Sequence, residues 1–330
     1  MSIGVIIPTK CTKETWPYAL RAISSALEFT PGATAIVVDD ASEEWPEDMP
    51  DVLRSLAAER PIVVQRYREG GGLSRSWNAG LRLCRSLGLE YAVPANADVV
   101  FTPGWWKPVA EALEQKAFVG PMTNAPGHCK AQQIAKSLEG YTMDDREDVL
   151  AEQAEGLRRK FKESIRNTDR LNGFLWAGKT STFWEMALGG GNVYNPKIPL
   201  AGNEDDLRKR AIKAGKTLGI ALGSFIFHYR SVMRPSSPRL SHGQYRNEKL
   251  PTIDAIRKGL NEAPQPAERS ELAAPVESKA KRTAQCVHLG KVVDRNSKGC
   301  HRCWTRECDL LKKHVQMRTE CETCGSYEAV

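Results

Sequence analysis

The chain lacks a long hydrophobic run: nowhere in its 330 residues does one approach the roughly 18 apolar residues that a spanning helix needs, so no transmembrane segment is expected. It lacks the marks of a secretory leader. MSIGVIIPTK has neither a basic n-region nor a long apolar h-region, so a cytoplasmic location is expected. It also lacks a dominant charge. Lys and Arg number 47 against 40 Asp and Glu, a formal +7, which tolerates anionic ligands but is too diffuse to mark a nucleic-acid binder. Aromatics are sparse at 7%, yet 41% hydrophobic residues exclude wholesale disorder. Cysteine is scarce over most of the length. Cys11, Cys84 and Cys129 stand alone, and the other six fall in the last 45 residues. In a reducing compartment a disulfide cluster is not expected, and metal is the better reading of that group.

What is present begins with alternating strand and helix signals. Ile3–Ile7, Ala35–Val38, Ile62–Gln65 and Tyr91–Pro94 read as short buried strands. Between them, Trp16, Leu20, Ile23 and Leu27 recur at helical steps, 52–56 reads as a helix fragment, and Ser74–Leu87 reads as a helix. Strand–helix alternation implies an α/β fold with a mostly parallel sheet, whose ligands bind at the carboxyl ends of the strands. Residues 130–170 are charged and helical in period, an expected insertion over the sheet. Strand signals return at Phe174–Ala177 and Leu218–Phe227, with a helix at Asp206–Ala214 ending on Gly215. The expected division is a domain over 1–232, a Pro/Ser/Glu/Lys/Ala-rich, largely flexible linker over 233–284, and a Cys-rich module over 285–330.

Three constellations carry chemistry in the first domain. Acidic residues end the strand signals: Asp39-Asp40, Asp98 in Asn96-Ala97-Asp98, and later Glu204-Asp205-Asp206. Carboxylates gathered in one crevice could bridge a hard divalent cation to substrate phosphates, although each alone also suits a strand end or a helix cap. Gly71-Gly72-Leu73-Ser74-Arg75-Ser76-Trp77-Asn78 joins a glycine turn to a helix N-terminus, which favours anions. No Gly-Lys-Ser/Thr follows it at phosphate-loop spacing, and an ordinary loop with Ser74 as N-cap is the plainer reading. His228 lies in FIFHYR after an apolar run, beside Arg230; a lone histidine there is more often a core or edge residue than a ligand.

In order, IIPT, VVDDAS, GGLSRSWNAGLR, ANADVVFTPGWW, NGFLWAG, GNEDDLRKRAIKAG and FIFHYR resemble family 2 glycosyltransferases of the GT-A (nucleotide-diphospho-sugar transferase) fold, over about residues 3–230. The resemblance implies a hexosyltransferase-type enzyme. It would move a sugar from a nucleotide donor, by analogy a UDP-sugar, to an acceptor hydroxyl of unknown identity with inversion. It further implies that Pro8, Thr9 and Asp40 hold the nucleoside and that Arg75 and Asn78 line its pocket. Asn96-Ala97-Asp98 would be the Asp-x-Asp-like motif, with Asp98 and His228 on Mn²⁺ or Mg²⁺. Asn172, Gly173 and Trp176 would face the acceptor, and Glu204 or Asp205, with a slight preference for Asp205, would be the base. Asn96 departs from the acid of that motif. A sugar nucleotidyltransferase is an alternative, but Pro8-Thr9-Lys10-Cys11 stands where such enzymes carry a glycine-rich phosphate loop.

The tail offers a separate signal. Cys300-x-x-Cys303 and Cys321-x-x-Cys324, 17 residues apart, have zinc-ribbon spacing. Cys286, His288 and Cys308, with His301 or His314, could supply a second zinc site or replace a member of the first. A module so short would draw its folding energy from the metal. Arg302, Arg306, Lys312, Lys313 and Arg318 around Trp304 give a weak nucleic-acid footprint, so a zinc-ribbon binding protein with a non-catalytic scaffold is the other alternative.

Overall fold

The computed structural model describes residues 1–42, 52, 53, 56, 61–230 and 293–294. The linker over 233–284 and all seven expected zinc ligands, Cys286, His288, Cys300, Cys303, Cys308, Cys321 and Cys324, lie outside the described residues.

Strand β1 (Ile3–Thr9) is central. It pairs in parallel with β2 (Ala33–Asp40) on one side and with β4 (Tyr91–Pro94) on the other, and β2 pairs in parallel with β3 (Ile62–Tyr67). Beyond β4 the sheet is mixed. There β8 (Ala177–Lys179) lies antiparallel between β4 and β6 (Phe118–Met122), and β9 (Leu218–His228) runs parallel to β6. The long β9 also carries two antiparallel partners, β5 (Val99–Phe101) and β7 (Ile165–Thr168). A two-residue strand, β10 (Val293–Asp294), pairs in parallel with β3. The expectation of a mostly parallel sheet therefore holds for β3-β2-β1-β4 and gives way to a mixed half.

Helices cover both faces, which is why β1 and β2 are almost wholly apolar instead of alternating. Ile3, Val5 and Ile7 pack with Trp16, Leu20, Ile23 and Leu27 of α1 (Trp16–Phe29). Ile6 faces the other way, onto Trp77, Leu81 and Cys84 of α2 (Leu73–Ser86). Two glycines let α2 lie directly on the sheet. A Cβ at Gly4 would stand 2.4 Å from Cys84 Sγ, and one at Gly80 would stand 2.2 Å from Ile6 Cγ2.

Some elements escaped the sequence reading. The helix α3 (Trp106–Leu113) and the strands β5, β6 and β7 were not expected. At three residues β5 is too short to show a period, β6 carries an internal Gly-Pro, and β7 (IRNT) is a polar strand. The 130–170 segment is only partly helical: two 3₁₀ turns precede α4 (Glu147–Phe161), and the segment then ends as β7 in the sheet. The strand expected at Phe174–Ala177 is an isolated bridge, Ala95 to Leu175, followed by β8. A short α5 (Thr180–Glu185) and α6 (Asn203–Lys213) complete the set.

The end of β9 is anchored by a buried polar cluster. The Tyr229 hydroxyl donates to Asp145 at 2.7 Å, and Arg21 of α1 pairs with the same carboxylate at 2.9 Å. Burial raises the Tyr229 pKa, so the phenol stays protonated and remains a donor.

Gly80→Ala tests the seating of α2 on β1. Alanine should gain about 1 kcal/mol in helix propensity. Overpacking against Ile6 should outweigh it, giving a net loss of roughly 1–2 kcal/mol in urea unfolding. A variant as stable as the parent would show that α2 does not rest on Ile6.

Candidate functional site

A cleft of about 620 Å³ opens at the carboxyl ends of β1, β2 and β4. The sequence supplies its walls from segments far apart in the chain. They are Pro8–Lys10 at the end of β1, Asp40 ending β2, Gly70–Gly72 before α2, Asn96–Asp98 after β4, Asn172–Phe174, Pro199–Ala201, Glu204 and His228.

On one wall Asp40 organises the glycine turn. Its carboxylate accepts the backbone N–H of Gly71 at 2.9 Å and of Gly72 at 2.8 Å, and it pairs with the Arg75 guanidinium. Arg75 in turn lies 4.0 Å over the Tyr67 ring. Gly72 is the helix N-cap at φ +82°, a conformation that suits glycine, so Ser74 is not the cap. Thr9 lines the cleft but gives its hydroxyl to Asp39 at 3.0 Å. Burial raises the Asp39 pKa against the opposing hydrogen bonds from Ser42 and Thr9.

Two expected nucleotide residues are placed elsewhere. Arg75 is not on the cleft lining; it braces Asp40 from behind. Asn78 is buried: its Oδ1 accepts the N–H groups of Val193 and Tyr194 at 2.9 and 2.8 Å, and its Nδ2 donates to the Tyr194 carbonyl at 2.7 Å. It is a clip for the 193–194 segment. Trp176, expected on the acceptor side, is 2% exposed and packs in the core with its ring 5.4 Å from Phe118.

At the base of the cleft Asp98 Oδ1 lies 3.3 Å from His228 Nε2, and Asn96 Nδ2 lies 3.5 Å from the same nitrogen. The antiparallel pairing of β5 with β9 sets this meeting, because Val99 registers with His228 and the Tyr229 N–H donates to the Asp98 carbonyl at 2.9 Å. Two further residues hold the histidine. Phe174 stacks on its ring at 5.0 Å and 18°, and Asn124 brackets its backbone, accepting the N–H at 2.7 Å and donating to the carbonyl at 3.0 Å. Among the described residues His228 Nδ1 is buried with no hydrogen-bond partner, and the Phe174 stack holds the ring.

A carboxylate oxygen and an imidazole nitrogen facing one cleft suit a borderline-hard divalent ion. Among the described residues no group of three or more His, Cys, Asp or Glu side chains is placed to hold a metal. Asp98 and His228 would thus be two protein ligands, leaving coordination positions for substrate oxygens and water.

Glu204 lines the same cleft. Its carboxyl lies directly over Gly173, where an added Cβ would stand 2.6 Å from Glu204 Cδ. Asp205 is not on the lining. Burial works to raise its pKa, but the hydrogen bonds and charges of Arg208 and Arg170, at 3.0 and 3.1 Å, hold its carboxyl below the usual range. Asp206 is paired with Arg210 at 2.8 Å. Of the three acids of α6, Glu204 alone is on the lining.

Sequence reasoning overlooked Lys10, Pro199 and Leu200 on the lining, which also holds Phe174 and Arg230. Only Lys10, directly after IIPT, carried a signal. Arg230 and Ala41, close after the ends of β9 and β2, both hold a left-handed backbone, at φ +53° and +61°. Such conformations in non-glycine residues concentrate at functional sites. Also overlooked was Gly173-Phe-Leu-Trp-Ala-Gly178-Lys179-Thr180, which spells the phosphate-loop consensus. The structure gives it no phosphate cradle. The backbone N–H groups of Trp176 and Thr180 are spent on the carbonyls of Pro94 and Glu90, and Lys179 lies in β8 with Glu114 3.6 Å away.

The family model for glycosyl transferase family 2 matches residues 4–174. No curated protein sequence matches the chain. Among solved structures, GalNAc-T7 crystallised with UDP, GalNAc and Mn²⁺ superposes with a TM-score of 0.51 at 18% identity. That alignment covers 69% of this chain and 44% of GalNAc-T7, and it shows a shared fold. Residues 1–349 of S. aureus TarS in complex with UDP align at TM-score 0.45 and 12% identity, over 69% of this chain and 60% of that one. The chain thus spans less than two thirds of either protein. The family match takes in β1 through Phe174, more than half of the 330 residues and most of the cleft, and the chain belongs to glycosyl transferase family 2.

Proposed function

We propose that the chain transfers a sugar from a nucleoside-diphosphate sugar to an acceptor hydroxyl with inversion at the anomeric carbon, aided by a divalent cation. The observation that carries this reading is that the paired Asp98 and His228 side chains and Glu204 line one cleft. A uridine nucleotide is the favoured donor, since UDP accompanies GalNAc-T7 in its crystal structure.

The roles follow from chemistry. An acceptor hydroxyl is a weak nucleophile, and a carboxylate within reach can take its proton as it attacks. Glu204 fits that task because no arginine is bonded to it, whereas Asp205 is occupied by Arg170 and Arg208. The leaving nucleoside diphosphate gains charge as its bond to the sugar breaks. Asp98 and His228 would hold Mn²⁺ or Mg²⁺ there, and a bound divalent ion supplies electrostatic stabilisation of that charge. Lys10 and Arg230, on the same lining, add positive charge toward the diphosphate. Asp40 keeps the glycine turn open to the nucleoside through its two backbone hydrogen bonds. Attack opposite the leaving group inverts the centre with one base and no covalent carboxylate. Beyond the transferase domain over 1–232, the proposal keeps a linker over 233–284 and a zinc-bound module over 285–330, on the strength of the Cys-x-x-Cys spacing alone.

Glu204→Gln should bind UDP with Mn²⁺ normally yet lose about 10²–10⁴-fold in turnover, the usual worth of a general base. Asp205→Asn should stay within roughly tenfold of the parent. Steady-state release of UDP, with UDP binding by calorimetry, separates the two; an active Glu204→Gln removes the base assignment. Asp98→Ala and His228→Ala should each abolish the Mn²⁺-dependent part of UDP binding, and binding unchanged in both would refute the metal assignment. Elemental analysis of the full chain should find one or two zinc ions, lost on truncation at residue 283, and a zinc-free chain would remove the ribbon reading.

A further inference from the structure

The two walls of the cleft are joined by a pair of buried side chains that do not line it. Ser74 is the second residue of α2, two positions after the glycine turn, and Asn203 is the first residue of α6, directly before Glu204. Both are fully buried, at 0% exposure, although 129 positions separate them. Asn203 Nδ2 donates to Ser74 Oγ at 3.1 Å, and Ser74 Oγ donates to the Ile198 carbonyl. The Ser74 backbone N–H donates to the Pro199 carbonyl at 3.1 Å. The walls are flush here, since a Cβ at Gly72 would stand 2.6 Å from the Pro199 oxygen.

The other end of Asn203 acts on the proposed base. Its Oδ1 accepts the backbone N–H of Glu204 at 2.8 Å. The residue before it, Gly202, is the helix N-cap at φ +89° and has no side chain with which to satisfy the first turn. Asn203 therefore does the capping from inside the helix while its amide nitrogen reaches across to the donor wall. Burying two polar side chains is costly unless they are satisfied, and here each satisfies the other and one wall.

We propose that Ser74 and Asn203 form a latch that fixes Glu204 against the glycine turn, which makes both of them positioning residues for the general base. The inference rests on the reading of Glu204 as that base. The latch bond joins Asn203, directly before the proton-accepting carboxylate, to Ser74 beside the nucleotide-binding turn across 129 positions of chain, alongside the Ser74 bonds to Ile198 and Pro199. Neither residue touches substrate, so loss of either should leave donor binding intact and displace only the base. Displacements of about 1 Å can cost on the order of 100-fold in rate.

The test uses the full chain with Mn²⁺ and a panel of UDP-, GDP- and dTDP-sugars, taking water as acceptor and the fastest-released nucleotide as readout. Asn203→Ala and Ser74→Ala should each lower kcat at least about tenfold while the calorimetric Kd for the nucleoside diphosphate stays within about twofold. The double variant should fall no further than the worse single, because each substitution opens the same latch. Ser74→Ala removes one hydroxyl and leaves the backbone bond to Pro199, so it answers even if Asn203→Ala does not fold. Parental kcat in Ser74→Ala, or kcat and affinity falling together, overturns the latch. Glu204→Gln measured alongside keeps the two readings apart: if it retains turnover the base assignment fails, and if it is inactive while the latch variants keep parental kcat, only the latch fails.

Discussion

The site depends on the register of one short antiparallel pair. With Val99 opposite His228, Asp98 and His228 become neighbours, and the Tyr229 N–H closes on the Asp98 carbonyl. A slip of one residue in that pairing would turn alternate side chains to the other face and take the imidazole away from the carboxylate. Much of the surrounding structure guards the register. Asn124 brackets the histidine backbone as a neighbouring strand would, Phe174 covers the ring, and the Arg21–Asp145–Tyr229 cluster ties the next residue to α1.

Glycine does the complementary work of close approach. Gly4 and Gly80 bring α2 onto β1, which delivers the glycine turn to the strand ends. Gly173 leaves room for the Glu204 carboxyl, and Gly72 leaves room for Pro199. These positions share one logic: a side chain there would push apart two elements whose separation sets the width of the cleft.

The strands buried on both faces were legible because unbroken apolar runs of that length suit a sheet covered by helices on both sides. The carboxylates at their ends were legible because strand ends are where such sheets bind ligands. Asp40 and Asp98 line the cleft on those grounds, His228 lines it from the end of β9, and Glu204 reaches it from the first turn of α6. Arg75, Asn78 and Trp176 do not, for a common reason. Arg75 and Asn78 sit beside cleft residues in sequence and Trp176 sits two positions after one, and in a helix or a twisted backbone a nearby side chain can point elsewhere. Arg75 turns to Asp40 and Tyr67, Asn78 to the 193–194 backbone, and Trp176 to Phe118. The phosphate-loop consensus at Gly173–Thr180 teaches the same point from the other side, because a motif has its chemistry only where its backbone N–H groups are free.

By itself the order of residues determined the α/β class, the positions of the central strands and the kinds of group available for chemistry. Composition and local period express those directly, since burial on both faces requires unbroken apolar runs and strand ends tolerate acids. Tertiary structure decided which of two adjacent acids faces the cleft. Glu204 and Asp205 are nearly alike in sequence, but helical rotation of about 100° per residue sends one to Gly173 and the other to Arg170 and Arg208. Beside the local Arg208, that choice involves Gly173 and Arg170, some thirty residues away in the chain, which no local pattern encodes.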